Sequence, residues 1–551
     1  SLVNSMARGG VAGYKYDAES LTPSALAGSV FDGINIYVRN DNQSVVMLDE
    51  NGDGIGEKAL KPGEKYKVFT LSNGSAVYSS NPTLLPYGKY SLLEDGGTNL
   101  DYLIGDKLSK EGIPFEITDN MQYFILALNN ADIEAIKNYV NTNYASQIAE
   151  IKKHLVDGKA REIQYNSLGN DIASMIANHS SKHGVAIVKY DTDDYDNAKA
   201  SLDVKNGYYP EAQGDATLQG AVYKIYNRNN GEIMIDTDGD HNGDKKVAKD
   251  GECITLTTKY DEAEGIEYAS TSATLLPNGN YEIIEITPSV GYLKSGNISQ
   301  SYTATKDGQY FIFAASEKAE KEIENIVNKE NPIKVFDEHQ HNITFVPKYE
   351  QKLTDDVARG KLTIKKNDAE KAEHTMNGVI ASESSDYGKI SNDNESKYAQ
   401  GDASLEKAVY KVYNISDHYV YTIGSNDGTT RTRVETGKNT FKNLTGIDVD
   451  TLTFKNCIYN EKLSNIIDDE MMSKIQESLS DNVCYTLTTD KNGEASTVDN
   501  ALPYGTYLVM EYTPSKGYLA TTERDGETAK IIRIRNNGDT ANLTYDKSDL
   551  N

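Results

Sequence analysis

The chain has 551 residues, with 83 acidic against 56 basic side chains and a formal net charge of −27. That balance excludes nucleic acid and anionic membrane as partners, since both repel a surface of the same sign. With 38 Tyr, 43 Gly and no Trp, the chain reads as strand-rich and turn-rich, and no transmembrane helix, signal peptide or sorting signal is visible in it.

From the N-terminus, Ser1-Leu2-Val3-Asn4-Ser5-Met6-Ala7-Arg8-Gly9 is similar to Lys352-Leu353-Thr354-Asp355-Asp356-Val357-Ala358-Arg359-Gly360. The chain is therefore expected to begin in a linker between repeats, as a piece of a longer protein. Gly10 to Asp17 then returns as Gly184 to Asp191 and as Gly360 to Asp368. The three starts are 174 and 176 residues apart, which predicts three modules over 1–180, 181–355 and 356–551, each long enough to bury its own core. On a strand period of two, Val185, Ile187 and Lys189 share a face, as do Leu362, Ile364 and Lys366. Lys15, Lys189 and Lys366 each lie two residues before an Asp, and each is expected to point inward.

Acidic loops follow in the first two modules. Asp49, Asn51 and Asp53, and then Asp236, Asp238 and Asp240, place oxygen-bearing side chains at alternate positions beside Gly, as a calcium loop requires. Position twelve is Leu60 counted from Asp49 and Lys249 counted from Asp238, where an EF-hand would have Glu. Plain acidic hairpin turns are the expectation, with no cofactor and calcium as the alternative.

A second signature closes each module's middle. Leu85-Pro86-Tyr87-Gly88-Lys89-Tyr90 to Glu94 recurs as Leu276 to Glu285 and as Leu502 to Glu511, the pattern L-P-x-G-x-Y-x-x-x-E. Pro and Gly form a turn, and in the following strand Tyr, an apolar residue and Glu point the same way. An inward Glu is costly to bury alone and needs a partner or a proton, so Glu94, Glu285 and Glu511 are expected to meet the inward lysines.

Lys and Glu so paired resemble the Cna B-type (SpaA-like) domains of Gram-positive pilins and cell-wall adhesins. The resemblance implies all-β, immunoglobulin-like or prealbumin-like sandwiches. It also implies a Lys bonded to an Asn or Asp late in the module, with Glu as the catalyst. The first-choice acceptors are Asn129, after the strand Gln122 to Leu128, and Asn536, after Ile531 to Arg535; Asn166 and Asp546 stay open as alternatives, and module two offers none that aligns. Burial lowers a lysine pKa and raises a glutamate pKa, which leaves a nucleophilic amine beside a proton donor.

Helical insertions interrupt the strands. Ile133, Ile136, Val140, Tyr144, Ile148, Ile151 and Leu155 are spaced by three and four over 131–157, and shorter helices are expected near 317–328 and 461–479. Three cysteines without a C-x-x-C pair are expected to stay reduced.

The implied protein is a secreted, cell-wall-attached stalk or pilus-type adhesin subunit, whose only catalysis is the making of its own isopeptide bonds. Its partners would be further modules of a longer surface protein or pilus, and a host or microbial surface ligand. One alternative is an adhesin that binds glycan or matrix protein through its inserted helices. A secreted carbohydrate-active enzyme is the other, although no G-x-S-x-G, H-E-x-x-H or phosphate-binding glycine loop is present.

Overall fold

The computed structural model describes residues 4–153, 155–156, 159–160, 162–167, 177–200, 210–294, 299–331, 335–336, 339–340, 342–349, 353–368, 399–424, 430–520 and 528–544. The architecture is all-β, with helices inserted between strands.

The first repeat contains the principal strands β1 (Arg8–Tyr14), β2 (Asn35–Asn40), β3 (Lys65–Thr70), β4 (Gly88–Asp95), β5 (Ile113–Ile117), β6 (Gln122–Leu126), β7 (Gln164–Ser167) and β8 (Ala177–Ser180). One sheet runs β7-β6-β1, all parallel, and the other runs β5-β4-β2-β3, all antiparallel. Val11, Ile36, Val38, Tyr90, Leu92 and Ile113 meet between them as a dry core.

The second repeat follows the same plan with β9 (Lys182–Asp191), β10 (Val222–Asn227), β11 (Glu252–Thr257), β12 (Gly279–Thr287), β13 (Ser299–Ala304), β14 (Gln309–Phe313), β15 (Thr344–Pro347) and β16 (Leu353–Val357). The third contributes β17 (Arg359–Lys365), β18 (Val409–Asn414), β19 (Val483–Thr488), β20 (Gly505–Thr513), β21 (Ala529–Ile534) and β22 (Thr540–Leu543). Their cores gather around Val185, Ile187, Ile225 and Ile283, and around Leu362, Val412, Val509 and Ile532.

Pairing corrects one strand alignment. Ile117, Ala304 and Ile534 lie opposite Gly88, Gly279 and Gly505 on the glutamate strands. The strand ending at Ile534 is thus the counterpart of β5, whereas the counterpart of β6 is β22, which runs parallel to β17 as β6 runs parallel to β1. A period-two apolar pattern gives a strand its faces but not its neighbour.

The long insertion is two helices, α1 (Asn130–Asn143) and α2 (Ala145–Lys153), broken at Tyr144. Ile136 and Val140 pack on Ala12, Tyr123 and Ile125, the outer face of the repeat's own sheet. Helix α3 (Thr192–Ala200) follows β9, and α4 (Glu317–Glu330) packs Ile323, Ile326 and Val327 against the outer face of the second repeat. In the third repeat α5 (Lys438–Thr445) and α6 (Asp469–Ser478) cover the outer face through Phe441, Met472 and Ile475. The sequence pattern did not show α5, whose Gly437 and Gly446 flanks resemble a loop.

Candidate functional site

The lysines and glutamates that the sequence singled out meet in every repeat. Lys15 Nζ lies 2.9 Å from Glu94 Oε2, Lys189 Nζ lies 2.8 Å from Glu285 Oε1, and Lys366 Nζ lies 2.5 Å from Glu511 Oε1. All six side chains are buried. Parity chooses Lys366 over Lys365, which instead turns outward to Asn492 O and Glu494.

The turn before each glutamate is locked by its own tyrosine. The hydroxyls of Tyr90, Tyr281 and Tyr507 donate to the carbonyls of Pro86, Pro277 and Pro503, each at 2.7 Å. Gly279 at φ +140° has no room for a Cβ, which would stand 2.2 Å from Asn229 Oδ1. A fixed turn fixes the register of the strand, and so which side chain faces the core at the fourth position after tyrosine.

Burial pulls the Lys15 amine below the usual lysine range, against the opposing attraction of Glu94. Burial likewise raises Glu511, with Lys366 opposing. Glu285 is pushed up to about 7, first by burial and against Lys189, with the nearby Asp355 carboxylate adding to the rise. Burial thus favours the neutral amine at Lys15 and the protonated acid at Glu285 and Glu511, the two kinds of group that acyl transfer to nitrogen requires.

The third partner comes from a strand that sequence reasoning had not assigned. Asn178 on β8 is buried, and its Nδ2 donates to Glu94 Oε2 at 3.1 Å. Asp355 on β16 is buried with Oδ2 2.6 Å from Lys189 Nζ. Both strands run parallel beside the end of the lysine strand, where Asn178 faces Asp17 and Asp355 faces Asp191. Asn178 and Asp355 each stand four residues ahead of the next repeat's first basic residue, Lys182 or Arg359. That constant spacing was the available signal.

The expected acceptors lie elsewhere. Asn129 is exposed and caps α1, accepting from Asp132 N at 2.9 Å. Asn166 sits on the edge strand β7 opposite Phe124 on β6, and β6 separates it from the lysine strand β1. Asn536 is exposed in the turn between β21 and β22, with its backbone N–H on Asp539. Asp546 lies outside the described residues. Helix caps and turns favour Asn for the same short polar side chain that an acceptor needs, so the residue type alone misleads.

An aspartate two residues after each lysine anchors the neighbouring loop. Tyr102 donates to Asp17 at 2.9 Å and Tyr518 to Asp368 at 2.7 Å, and the Tyr292 hydroxyl meets Asp191. In the acidic loops, Asp49 accepts from the backbone N–H groups of Gly52, Asp53 and Gly54. Asp236 accepts from Gly239 and His241 in the same manner. Asp236, Asp238 and Asp240 bring carboxylate oxygens within 4.8 Å of one another, whereas Asn51 in the first loop bonds Asp53. The three cysteines are free. Among the described residues no helix is long and apolar enough to cross a membrane.

No family model and no curated protein matches the sequence. Among solved structures the chain is similar to the Bacillus anthracis TIE protein, at 14% identity and a TM-score of 0.36, over 98% of this chain and 50% of that one. It thus spans about half the length of that protein. BcpA, the major pilin subunit of Bacillus cereus, is similar at 8% identity over 98% of both chains, with a TM-score of 0.22. The RrgB pilus protein of Streptococcus pneumoniae is similar at 10% identity over 99% of this chain and 100% of its own, with a TM-score of 0.23. BcpA and RrgB are pilus proteins of Gram-positive bacteria.

Proposed function

We propose that this chain is a cell-surface stalk or pilus-type subunit of a Gram-positive bacterium, built from Cna B-type sandwiches that crosslink themselves. The observation that carries the reading is the buried triad Lys15, Glu94 and Asn178, matched by Lys189, Glu285 and Asp355.

In the first repeat, the neutral Lys15 amine attacks Cγ of Asn178. Glu94 polarises the amide and passes the amine's proton to the departing nitrogen, so one C–N bond forms, another breaks and ammonia leaves. In the second repeat Lys189 attacks Cγ of Asp355 and Glu285 carries the amine's protons to the departing oxygen, so a C–N bond forms, a C–O bond breaks and water leaves. Each reaction occurs once per site, so the chain is its own substrate and turns over no other.

The benefit is mechanical and thermodynamic. The bond ties the first strand of a repeat to its last, so tension entering one terminus crosses the sandwich without peeling strands apart. By the loop-closure argument used for disulfides, a crosslink over a hundred or more residues stabilises by about 5 kcal/mol. A chain without disulfides has need of that contribution.

Intact-mass measurement of the purified chain tests the reading. The mass should fall short of the sequence mass by at least one ammonia and one water. Replacing Glu94 with Ala should restore the ammonia alone, and Glu285→Ala the water alone. A wild-type mass equal to the sequence mass would refute the proposal.

A further inference from the structure

A second pair of opposite charges recurs beside each of the first two sites, at the same spacing along both strands. Glu19 stands four residues after Lys15, and Lys182 four after Asn178; Asp193 stands four after Lys189, and Arg359 four after Asp355. These acids and bases meet as the reacting groups do. Lys182 Nζ lies 2.5 Å from Glu19 Oε1 with both side chains fully enclosed, and Arg359 Nη2 lies 2.6 Å from Asp193 Oδ2. Ser180, midway between Asn178 and Lys182, has its hydroxyl 2.9 and 3.0 Å from the two Glu19 oxygens.

Each acid is set in place by the aspartate that follows the lysine. The backbone N–H of Glu19 donates to Asp17 at 3.0 Å, and that of Asp194, the neighbour of Asp193, donates to Asp191 at 2.9 Å. Each base belongs to the following repeat. Lys182 and Arg359 open β9 and β17, opposite Pro277 and Pro503 of those repeats' own turns. Lys182 also donates to Met234 O at 3.4 Å, and Arg359 to Tyr421 O at 3.0 Å and Ala501 O at 3.1 Å. Gly243 of the second repeat closes over Glu19, where a Cβ would stand 3.0 Å from Oε2.

Such a pair adds little net stability, because desolvation offsets its attraction, yet any slip of one strand leaves two enclosed charges unpaired. Alternation cannot supply that discrimination, since a strand displaced by two residues still shows the same face. We propose that Glu19 with Lys182, and Asp193 with Arg359, are register clamps for bond formation. They are positioning residues that hold Asn178 and Asp355 against their amines, and the next repeat supplies the base. The proposal rests on the isopeptide reading above. It makes crosslinking depend on the neighbour: a repeat bonds once its successor has folded.

Full chain synthesised under denaturing conditions is folded and sampled by intact mass, so that loss of ammonia times the first repeat and loss of water the second. Lys182→Met should slow ammonia loss about a hundredfold, as expected when a reacting group is displaced by roughly 1 Å, and leave water loss on the wild-type schedule. Lys182→Arg should restore the rate, since Arg359 performs the same task in the next joint. Joint replacement by Glu19→Leu and Lys182→Met should also slow ammonia loss. In a Glu94→Ala background, where no first-repeat bond forms, that joint replacement should leave the melting temperature unchanged, which a merely structural pair would not. Ile283→Asp, which breaks the second repeat's core, should slow ammonia loss as Lys182→Met does. Ammonia lost at the wild-type rate in the Lys182→Met or Ile283→Asp chain would overturn the proposal, as would a slowed joint replacement whose melting temperature falls in the Glu94→Ala background. A wild-type chain that loses neither ammonia nor water would instead refute the isopeptide reading.

Discussion

Asn178 donates to the same oxygen of Glu94 that Lys15 touches, at 3.1 Å and 2.9 Å respectively. One carboxyl oxygen thus stands between the nucleophile and the group it would attack. A proton taken from the amine need move only within that carboxyl to reach the leaving nitrogen.

Asn178→Ala should therefore leave the first repeat uncrosslinked while the second keeps its missing water. Unfolding of that repeat should become easier by about 5 kcal/mol, read by calorimetry or by pulling a single molecule. Asn129→Ala and Asn166→Ala should leave the mass deficit unchanged, because Asn129 caps a helix and Asn166 lies on β7. A restored ammonia in Asn129→Ala would return the acceptor role to that residue.

Bond formation in the second repeat should slow as pH rises through about 7. Glu285 is the proton carrier in the proposed reaction, and burial lifts it to about 7. Its raised value means that the protonated form, and the favourable contribution of that form to the folded, unbonded state, persists below about 4.5 and is lost as pH climbs through the folded value. Wild-type chain synthesised under denaturing conditions, so that no bond has yet formed, and folded beside Asp355→Ala at a series of pH values, with mass as readout, would show this. A rate still rising above pH 8 would count against a protonated Glu285.

Asp355→Asn should still crosslink, releasing ammonia in place of water. The mass of the product would then equal that of the wild-type product, because the extra amide nitrogen departs. Unreacted Asp355→Asn and unreacted wild type differ by the ordinary Asp-to-Asn mass, so the two routes are distinguishable. A full-length mass lacking that compensation would mean that Asp355 is only an ionic partner of Lys189.

Asp193 joins the second and third repeats. It receives Arg359 at 2.6 Å and Arg431 at 2.8 Å, and Gln213 at 3.1 Å. Burial works against its charge, but Arg359 prevails and the carboxyl stays below its ordinary value. The contribution is therefore present at neutral pH and is lost as pH falls through that depressed value. Asp193→Ala should cost about 2 kcal/mol, less than the fullest cost of a broken buried pair, since Arg359 keeps the carbonyls of Ala501 and Tyr421. Small-angle scattering should show the angle between the two repeats broadening; an unchanged profile would place the stiffness elsewhere.

Much of the site was legible because its parts obey short-range rules. Parity along a strand put Lys189 and Lys366 inward, and the proline-glycine turn with its tyrosine set the register of Glu94, Glu285 and Glu511. The places of Asn178 and Asp355 were not legible, since they depend on which strand lies beside the lysine. In the first repeat α1, α2 and β7 intervene between Asn129 and Asn178, and only the parallel pairing of β8 beside Asp17 selects the second of these.

By itself the sequence determined the repeat, the sandwich class and the buried lysine and glutamate, because alternation and turn chemistry act over a few residues. The tertiary structure decided which side chain joins the first two pairs, Asn178 at Glu94 and Asp355 at Lys189. Asn178 and Asp355 belong to strands that end one repeat and lead directly into the next, and such a strand finds its neighbour through packing across more than a hundred residues of chain. No periodicity in the local sequence records that choice.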